Sequence, residues 1–517
     1  MKKSIVIVLI LVLMKGCITQ SPETPFPEKD NSLVSSLFET WDDHTLFRKG
    51  LIQSEWGAID LLSVAPVYHI DVHISDDCLF LQGHEEVSYT NCEPVPLQHV
   101  YFRLFPHISG GAITVSSVKV DSQDVDLAYE FEGSALRISL PEELQPDKNV
   151  IIEMDFTVEV AQDMGGNYGL FGYFDNILVL DGFYPVIPVY DDEGWNVEVP
   201  PSHGDLMYCD ASFYLVRVTA PSTLKVVTSG IEIGSKKDRD TQVLAFAAGP
   251  ARDFYLAASE NYTVVSSQIG ETTINSYALP ERKDRAEMAL KTAENALKSF
   301  NERFGIYPYT EFDIVSTPML AKGMEYSGIV AISQRLYDPD EVISGLPSHI
   351  FLESVTAHET AHQWFYNIVG NDQVDEPWLD ESLAQYLTGL YYTDVYGEAA
   401  AEDYRNSWYD LWESVNRQDI LIGLPSREYT DEQYSPIIYG RGPLFLMALA
   451  EEMGQELFDA FMRDYYESHR WGISTTDSFR HLAEYYCHCD LSYLFEEWIA
   501  YSRYILAHIE VALTFRS

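Results

Sequence analysis

The chain has 517 residues, which is too long for one typical domain, and its 46% of hydrophobic residues can form a sizeable core. Its 80 acidic and 33 basic residues give a formal net charge of −47 at pH 7. This balance argues against binding of nucleic acid or anionic lipid through a basic surface, and it suits a soluble, self-repelling surface in a salty or extracellular setting.

The first seventeen residues have the pattern of an export signal. A basic start is followed by an apolar run at residues 4–14, which is too short for a comfortable membrane span. Gly16-Cys17 resembles the end of a lipoprotein signal, where the cysteine is acylated, although Lys15 departs from the small or apolar residue usual there. We expect an exported protein that is tethered to the cell membrane through its N-terminus. Acylation of Cys17, simple cleavage and an uncleaved anchor are the alternatives.

Two segments of different composition follow the export signal. Residues 18–65 begin with a Pro-rich acidic stretch that predicts a tether, and short helices are expected near its end. From Tyr68 the hydrophobic period becomes two, as in the alternation at residues 152–160. Such alternation is typical of strands with one buried face. Residues 66–268 are therefore predicted to form an all-β domain of antiparallel sheets.

The cysteines after the export signal are interpreted as structural. Cys78 and Cys92 are candidates for a disulfide that staples a hairpin, since export favours oxidation, and Cys209 is expected to be unpaired. The Cys487-His488-Cys489 segment lacks the second ligand pair of a metal site. A helical setting there would point its two thiols apart.

A helical period begins near residue 269. Apolar residues recur at spacings of three and four between residues 286 and 300, which predicts an amphipathic helix. Strands are predicted at 311–316 and 328–333, and helices at 443–453, 456–468 and 476–487. Residues 269–517 are thus expected to form a mostly helical domain with a small sheet, which makes the chain a multidomain α+β protein.

The strongest local pattern is His358-Glu359-Thr360-Ala361-His362. On a helix, His358 and His362 lie on one face and can bind a single zinc ion, with Glu359 beside them to take a proton from the attacking water. Catalytic zinc usually has three protein ligands and one open position, so a third ligand is needed. Glu381 is the candidate. Asp380 is then a helix-start acid or a residue that supports the ligands.

Four ordered motifs resemble one family. An H-E-x-x-H pattern followed by eighteen residues and then Glu is the spacing of the aminopeptidase N-like zinc metallopeptidases of the gluzincin clan. The segment around Glu381, from Trp378, resembles the family's continuation of this pattern. Gly323-Met324-Glu325-Tyr326 resembles the family's exopeptidase motif, from which it departs at Lys322 and Tyr326. Tyr439-Gly440-Arg441-Gly442 resembles the segment that carries the family's transition-state tyrosine, with Arg441 in place of a common Lys.

The resemblance implies both a fold and an activity. It implies a saddle-like β-domain followed by a thermolysin-like catalytic domain, in a short form without the family's C-terminal helical domain. It also implies a zinc-dependent aminopeptidase that hydrolyses the N-terminal bond of peptides with a free N-terminus. One zinc ion per chain would be bound by His358, His362 and Glu381.

The resemblance also assigns roles around the metal. Glu359 would be the general base, and Tyr439 would stabilise the oxyanion. Glu325 would bind the free α-amine, with Gly323 and Met324 in the same substrate-binding motif. In the family a further acidic motif of the β-domain anchors this amine. Residues 190–195 are the nearest stretch here; they depart from that motif, and a cleft rim and a solvated loop both remain open for them.

Two other functions remain as alternatives. A thermolysin-like zinc endopeptidase would use the same metal ligands without capture of the amine. An inactive binding or scaffold protein on this fold is less consistent with the sequence, because the base Glu359 and all three candidate ligands are present. The sequence gives no side-chain specificity, physiological substrate or oligomeric state.

Overall fold

A computed structural model describes residues 33–41, 44–165 and 167–499 of the chain. The expected export signal and Cys17 lie outside these described residues. Within them, a β-rich N-terminal unit is followed by a mostly helical unit with one five-stranded sheet. None of the helices in the described ranges is long and apolar enough to cross a membrane.

The N-terminal unit begins with short helices and continues with strands. The helices are α1 Leu33–Ser36 and α2 Gly57–Leu61, with 3-10 turns at His44–Gly50 and Gln53–Glu55. The strands are β1 Val67–Ile74, β2 Phe80–Thr90, β3 Leu97–Arg103, β4 Ala112–Val120, β5 Gln123–Asp124, β6 Leu127–Glu130, β7 Ala135–Leu144, β8 Asn149–Glu159, β9 Phe171–Phe174, β10 Ile177–Leu180, β11 Tyr190–Asp191, β12 Gly194–Trp195, β13 Ser212–Pro221, β14 Lys225–Thr228, β15 Ile231–Asp238, β16 Thr241–Ala251 and β17 Leu256–Ser259.

The expected all-β domain is confirmed, with one correction to its topology. An eight-stranded sheet has the order β15-β16-β13-β1-β2-β8-β4-β5, and sheets of four strands (β14-β17-β10-β9) and three strands (β3-β7-β6) accompany it. These pairs are antiparallel except β1 and β13, which run parallel with Val67 opposite Phe213. A parallel pair needs a long crossover, and the many strands between β1 and β13 provide it. The period of two in β8 reflects alternating buried and solvent-facing residues.

The second unit contains the remaining elements. Its strands are β18 Thr263–Ile269, β19 Thr272–Ala278, β20 Glu311–Thr317, β21 Gly323–Tyr326, β22 Ile329–Ser333, β23 Val342–Ile343 and β24 Leu346–Pro347. Its helices are α3 Lys283–Arg303, α4 Gln334–Tyr337, α5 Ser348–Ala361, α6 Trp378–Tyr396, α7 Glu398–Glu413, α8 Asp431–Ser435, α9 Gly442–Met453, α10 Gln455–His469, α11 Thr476–Cys487 and α12 Ser492–Trp498, with a π-helical turn at Pro436–Arg441 between α8 and α9.

The sheet of the second unit starts earlier in the chain than expected. Its strand order is β18-β19-β20-β22-β21, so the boundary expected at residue 269 falls on the last residue of β18. The helical period predicted from residue 269 was wrong for β19, which pairs with β18 and β20. The amphipathic helix is confirmed as α3, whose buried face includes Leu290, Leu297 and Phe300.

Arg252 joins the two units from a fully buried position. Its guanidinium group donates to the carbonyl oxygens of Tyr366 at 2.7 Å, Cys209 at 3.0 Å and Gly472 at 2.6 Å. A Cβ atom at Gly370 would lie 2.2 Å from Cζ of Arg252, so the absence of a side chain there makes room for the guanidinium group. Segments of both units therefore meet on one cation.

Two expectations about the cysteines were wrong. Cys78 and Cys92 are both free, and Cys209 is free and buried as expected. Cys487 and Cys489 form a disulfide. Helix α11 ends at Cys487, and His488 has a left-handed backbone with φ of 52°. This reversal of the chain turns the two thiols toward each other, whereas a continuous helix would have separated them.

Candidate metal centre and active site

Two helix ends bring three ligand candidates together. His358 lies in the last turn of α5 and His362 is the residue that caps its C-terminus. Pro377 precedes the first turn of α6, which carries Glu381. The two helices pack against each other, and all three side chains are buried. The predicted spacing of the histidines on one helical face is therefore observed.

The donor atoms of these side chains point at one another. Nε2 of His358 lies 3.1 Å from Nε2 of His362 and 3.0 Å from Oε2 of Glu381. The distance from Nε2 of His362 to the same carboxylate oxygen is 3.4 Å. Two imidazole nitrogens and one carboxylate oxygen that converge on one point are a donor set suited to a divalent metal ion. These residues fit a metal site.

The orientation of His362 is fixed from outside the cluster. Its Nδ1 atom lies 3.2 Å from the carbonyl oxygen of Phe365. Because a carbonyl oxygen only accepts, Nδ1 must carry a hydrogen, which leaves the lone pair of neutral Nε2 free for a metal.

Electrostatic effects oppose one another within the cluster. Burial alone would raise the pKa of Glu381, but its hydrogen bonds to His358 and His362 hold this pKa well below its usual range. Burial would lower the pKa of His362, whereas the carboxylates of Glu325 and Glu381 raise it well above its usual value. The carboxylates that favour a cationic His362 would equally favour a metal cation bound among these side chains.

Glu359 lies beside the cluster and is buried as well. A Cβ atom built on Gly323 would lie only 2.2 Å from Oε1 of Glu359, so the carboxylate occupies the space over this glycine. Burial raises the pKa of Glu359 well above its usual range, and Glu325 contributes in the same direction. A carboxyl group with a raised pKa next to a candidate metal site is suited to a role in proton transfer.

Glu325 projects from β21, which is the edge strand of the five-stranded sheet. Nε2 of Gln373 donates to Glu325 at 2.9 Å and to Asp380 at 3.0 Å. Burial raises the pKa of Glu325 to about 8. Ligand atoms of Glu325, Glu359 and His362 lie within 4.8 Å of one another. The exopeptidase-like motif is therefore adjacent to the candidate metal site.

The two departures from that motif leave Glu325 in place. Tyr326 stacks on Tyr255 with a ring-centroid distance of 4.0 Å. The ammonium group of Lys322 lies over the ring of Phe351. Asp380 accepts from the backbone N–H of Glu381 at 2.7 Å, so it supports the ligand helix, as one of the two interpretations expected.

Asp205 is an acidic residue of the site that the sequence analysis missed. It belongs to the irregular segment between β12 and β13, and it lines one small cavity together with Glu325. Burial and the charges of neighbouring carboxylates raise its pKa. No periodic pattern marks this segment. The sequence shows only an acid that follows a glycine. In the structure, Gly204 has a φ of 85° and turns the chain before Asp205.

The acids of residues 190–195 are in a different place. They lie on the β11–β12 hairpin, in the wall of a cavity of about 1070 Å³ whose other walls include Trp471, Asp372, Asp375 and Glu376. None of the three ligand candidates lines this cavity. A much smaller cavity of about 20 Å³ is lined by Asp205 and Glu325 together with Asp181 and Asp253.

Tyr439 reaches the cluster from the π-helical turn. Its hydroxyl group donates a hydrogen bond to Oε1 of Glu381. Burial raises the pKa of Tyr439 well above its usual value, so the hydroxyl keeps its proton. π-Helical turns often occur at functional sites. The structure thus brings the predicted metal ligands together with Glu359, Glu325 and Tyr439, whereas the acids of residues 190–195 lie apart from them.

Comparison with known proteins identifies part of the chain. Residues 288–498 match the description "Peptidase family M1 domain". The chain contains a family M1 peptidase domain. This match covers α3 to α12 and all three ligand candidates, and the resemblance drawn from the four motifs is confirmed.

Curated relatives of the M1 domain are aminopeptidases. Aminopeptidase 2 of Candida albicans is 26% identical over 397 residues, which covers 72% of this chain and 41% of that protein. Probable aminopeptidase 2 of Sulfurisphaera tokodaii is 23% identical and covers 53% of this chain and 36% of that protein. Human endoplasmic reticulum aminopeptidase 2 is 24% identical, and the match covers 62% of this chain and 34% of that protein. The chain spans less than half the length of each of these relatives.

Solved structures support the fold of both units. An M1 zinc metallopeptidase from Deinococcus radiodurans, in a mutant form bound to a Tyr-Ser-Ala substrate, has a TM-score of 0.62. It is 18% identical, and the match covers 88% of this chain and 95% of that chain. The same protein without the mutation has a TM-score of 0.60 over 84% of this chain. A β-rich unit followed by an M1 domain is therefore a known arrangement.

Proposed function

We propose that the protein is a zinc-dependent aminopeptidase that removes the N-terminal residue of peptides. The observation that carries this proposal is Glu325 on an edge strand beside the His358–His362–Glu381 cluster. A carboxylate next to a free strand edge can bind an ammonium group while the strand pairs with the peptide backbone. The names of the curated relatives support the same activity.

His358, His362 and Glu381 would hold the zinc ion and leave one position open. When bound, zinc supplies Lewis-acid polarisation of the scissile carbonyl and activation of the water nucleophile. Glu359 takes the proton of the water and delivers it to the leaving amine. The hydroxyl group of Tyr439 donates to the oxygen that becomes negative in the transition state.

The free N-terminus of the substrate would be held beside the metal ligands, next to Glu325. Glu325 and Asp205 supply carboxylates from the two units, and Gln373 orients Glu325. The cavity of about 20 Å³ between them has room for a group of roughly the size of one water molecule, which suits an ammonium group. Gly323 and Met324 precede Glu325 on the strand that would pair with the peptide.

Comparison of a free peptide with its N-acetylated form tests this function. The zinc-loaded protein is expected to trim only the free peptide, one residue at a time, and Glu325→Ala is expected to lose this preference. Internal cleavage of both forms at similar rates would instead support the thermolysin-like endopeptidase. Absence of cleavage, with zinc bound, would support the binding protein.

We further propose export and attachment to the cell membrane through the N-terminus. The basic start, the short apolar run and Gly16-Cys17 support this proposal. The test is fractionation of cells that express the full chain, with incorporation of a labelled fatty acid. Acylation is expected for the natural chain and not for Cys17→Ser. A protein that stays in the cytoplasm would contradict export.

A further inference from the structure

We propose that Ser382 is a positioning residue that fixes Tyr439 relative to the metal ligand Glu381. This inference rests on the proposed function, because it assigns a role in placing the hydroxyl group that stabilises the transition state. Ser382 directly follows Glu381 on α6 and is fully buried. It touches no substrate in this proposal, and it acts through the π-helical turn.

The contact between α6 and the π-helical turn involves two consecutive residues on each side. Oγ of Ser382 donates to the carbonyl oxygen of Ile438 at 2.7 Å. The adjacent residues form the other contact: Tyr439, which follows Ile438, donates from its hydroxyl to Glu381, which precedes Ser382. The ligand and the tyrosine are therefore linked both through their side chains and through the backbone one residue earlier in the turn.

The carbonyl group of Ile438 needs a donor from outside its own turn. In a π-helical turn a carbonyl accepts from the N–H five residues later, as the carbonyl of Ile437 does from Gly442. The corresponding residue for Ile438 is Pro443, which has no N–H. A buried carbonyl without a donor costs free energy, so the hydroxyl group of Ser382 replaces the missing backbone donor.

Two glycines make this contact possible. A Cβ atom on Gly442 would lie 1.9 Å from Oγ of Ser382, so any larger residue would displace the hydroxyl. On the other side of the turn, a Cβ atom on Gly440 would lie 3.0 Å from backbone atoms of Trp408 and Trp412 in α7. The turn is thus held closely between α6 and α7, and the hydrogen bond from Ser382 sets its position on the α6 side.

A double-mutant cycle tests whether Ser382 acts through Tyr439. Ser382→Ala is expected to lower kcat by about 10-fold or more with little change in KM, because a small displacement of a transition-state donor is costly. In the Tyr439→Phe background the same change is expected to have no further effect on kcat. Equal losses of kcat in both backgrounds, or no loss in either, would overturn the proposal.

A second variant supplies the missing donor by another route. Pro443→Ala restores an N–H five residues after Ile438, so it is expected to recover part of the kcat lost in Ser382→Ala. Thr388→Val is the matched control, because Thr388 is a buried hydroxyl on the same helix that donates to Ala384 at 2.8 Å. This control is expected to keep wild-type kcat. A comparable loss of kcat in Thr388→Val would show that removal of any buried hydroxyl from α6 has the same effect, which would overturn the specific role of Ser382.

Hydrogen exchange of the zinc-loaded protein separates this inference from the proposed function. Amides of the Pro436–Arg441 turn are expected to exchange about 10-fold faster in Ser382→Ala than in Thr388→Val, while the affinity for zinc, measured by chelator competition, stays within about twofold of wild type. Unchanged exchange would overturn the positioning role. If the wild-type protein cleaves no peptide but the turn still exchanges faster in Ser382→Ala, the proposed aminopeptidase activity is overturned and the positioning role of Ser382 stands.

Discussion

At the scale of single residues, the space over Gly323 is part of the candidate active site. The carboxylate of Glu359 occupies the volume that a side chain at this position would fill, with Cδ of Glu359 only 2.6 Å from the place of a Cβ atom. The glycine of the exopeptidase-like motif therefore does more than precede Glu325. It sets how closely the base approaches the edge strand.

Gly323→Ala tests this role. The added methyl group is expected to displace Glu359 and lower kcat by about 100-fold, whereas binding of zinc is retained because the three ligands do not move. Steady-state kinetics and zinc titration check the two parts. Gly57→Ala is the control, since the position of its added methyl group is open space. A Gly323→Ala protein with wild-type kcat would refute the steric argument.

Glu85 is a second residue of interest, because its buried position is expected to make the stability of the protein depend on pH. It lies fully buried on β2, and neither of its carboxylate oxygens has a hydrogen-bond partner among the described residues. Burial raises its pKa well above the usual range. The folded protein therefore keeps a proton that the unfolded chain releases once the pH exceeds about 4.3.

Glu85→Gln is expected to remove a pH dependence of stability. Because the pKa of Glu85 is raised in the folded state, its contribution to stability is present below about pH 4.3 and is lost as the pH rises, by up to about 1.4 kcal/mol per pH unit. Urea unfolding between pH 5 and 8 should show a free energy of unfolding that falls in wild type relative to Glu85→Gln. Replacement of the exposed Glu159 by Gln is the control. Parallel pH profiles of wild type and Glu85→Gln would contradict the prediction.

At the scale of elements, the junction of the two units depends on the planar guanidinium group of Arg252. Its donors reach four backbone carbonyls in three separate segments, and the ammonium group of a lysine lacks the planar arrangement of donors that this requires. Lost donors would leave buried carbonyl groups without partners.

Arg252→Lys is expected to lower the free energy of unfolding by about 3 kcal/mol or more, because at least two buried acceptors lose their donor. Chemical denaturation measures this change. Arg239→Lys makes the same replacement at an exposed position and is expected to have an effect within about 0.5 kcal/mol. Equal stability of the two variants would show that the junction does not depend on the guanidinium group.

The sequence predicted elements whose signals are local and missed those that depend on the fold. The spacing of His358 and His362 specifies one helical face, and α9, α10 and α11 have periodic apolar residues, so each was predicted close to its observed bounds. Gln373 and Asp205 lie in irregular segments without a period, and their chain positions reveal nothing about their distance from Glu325. The π-helical turn was not predicted, because its position depends on contacts with α6 and α7 that have no local signal in the sequence.

At the scale of the whole molecule, a concentration of acidic groups at the candidate site opposes folding without a cation. Glu325, Glu359, Asp380 and Glu381 are all buried, in a chain whose formal net charge is −47. Buried carboxylates are costly unless they are paired or bind a metal ion. Metal binding is therefore expected to contribute to stability as well as to catalysis.

Removal of the metal is expected to lower the melting temperature. A metal that binds only the folded state stabilises it by about 4.1 kcal/mol when its free concentration is 1,000 times the dissociation constant. Calorimetry with a chelator and then with added zinc measures the shift. His358→Ala, which lacks one ligand, is expected to show little response to zinc. An equal response in this variant would place the stabilising metal elsewhere.

The cavity that Asp205 shares with Glu325 has a consequence for the order in which the site is assembled. Asp205 belongs to the first unit, whereas the metal ligands belong to the second, so one wall of the site is missing until the two units have docked. A nascent or partly unfolded chain carries every ligand but not the complete amine-binding end. If the protein is the aminopeptidase proposed above, its activity toward peptides should therefore appear only after the two units have docked.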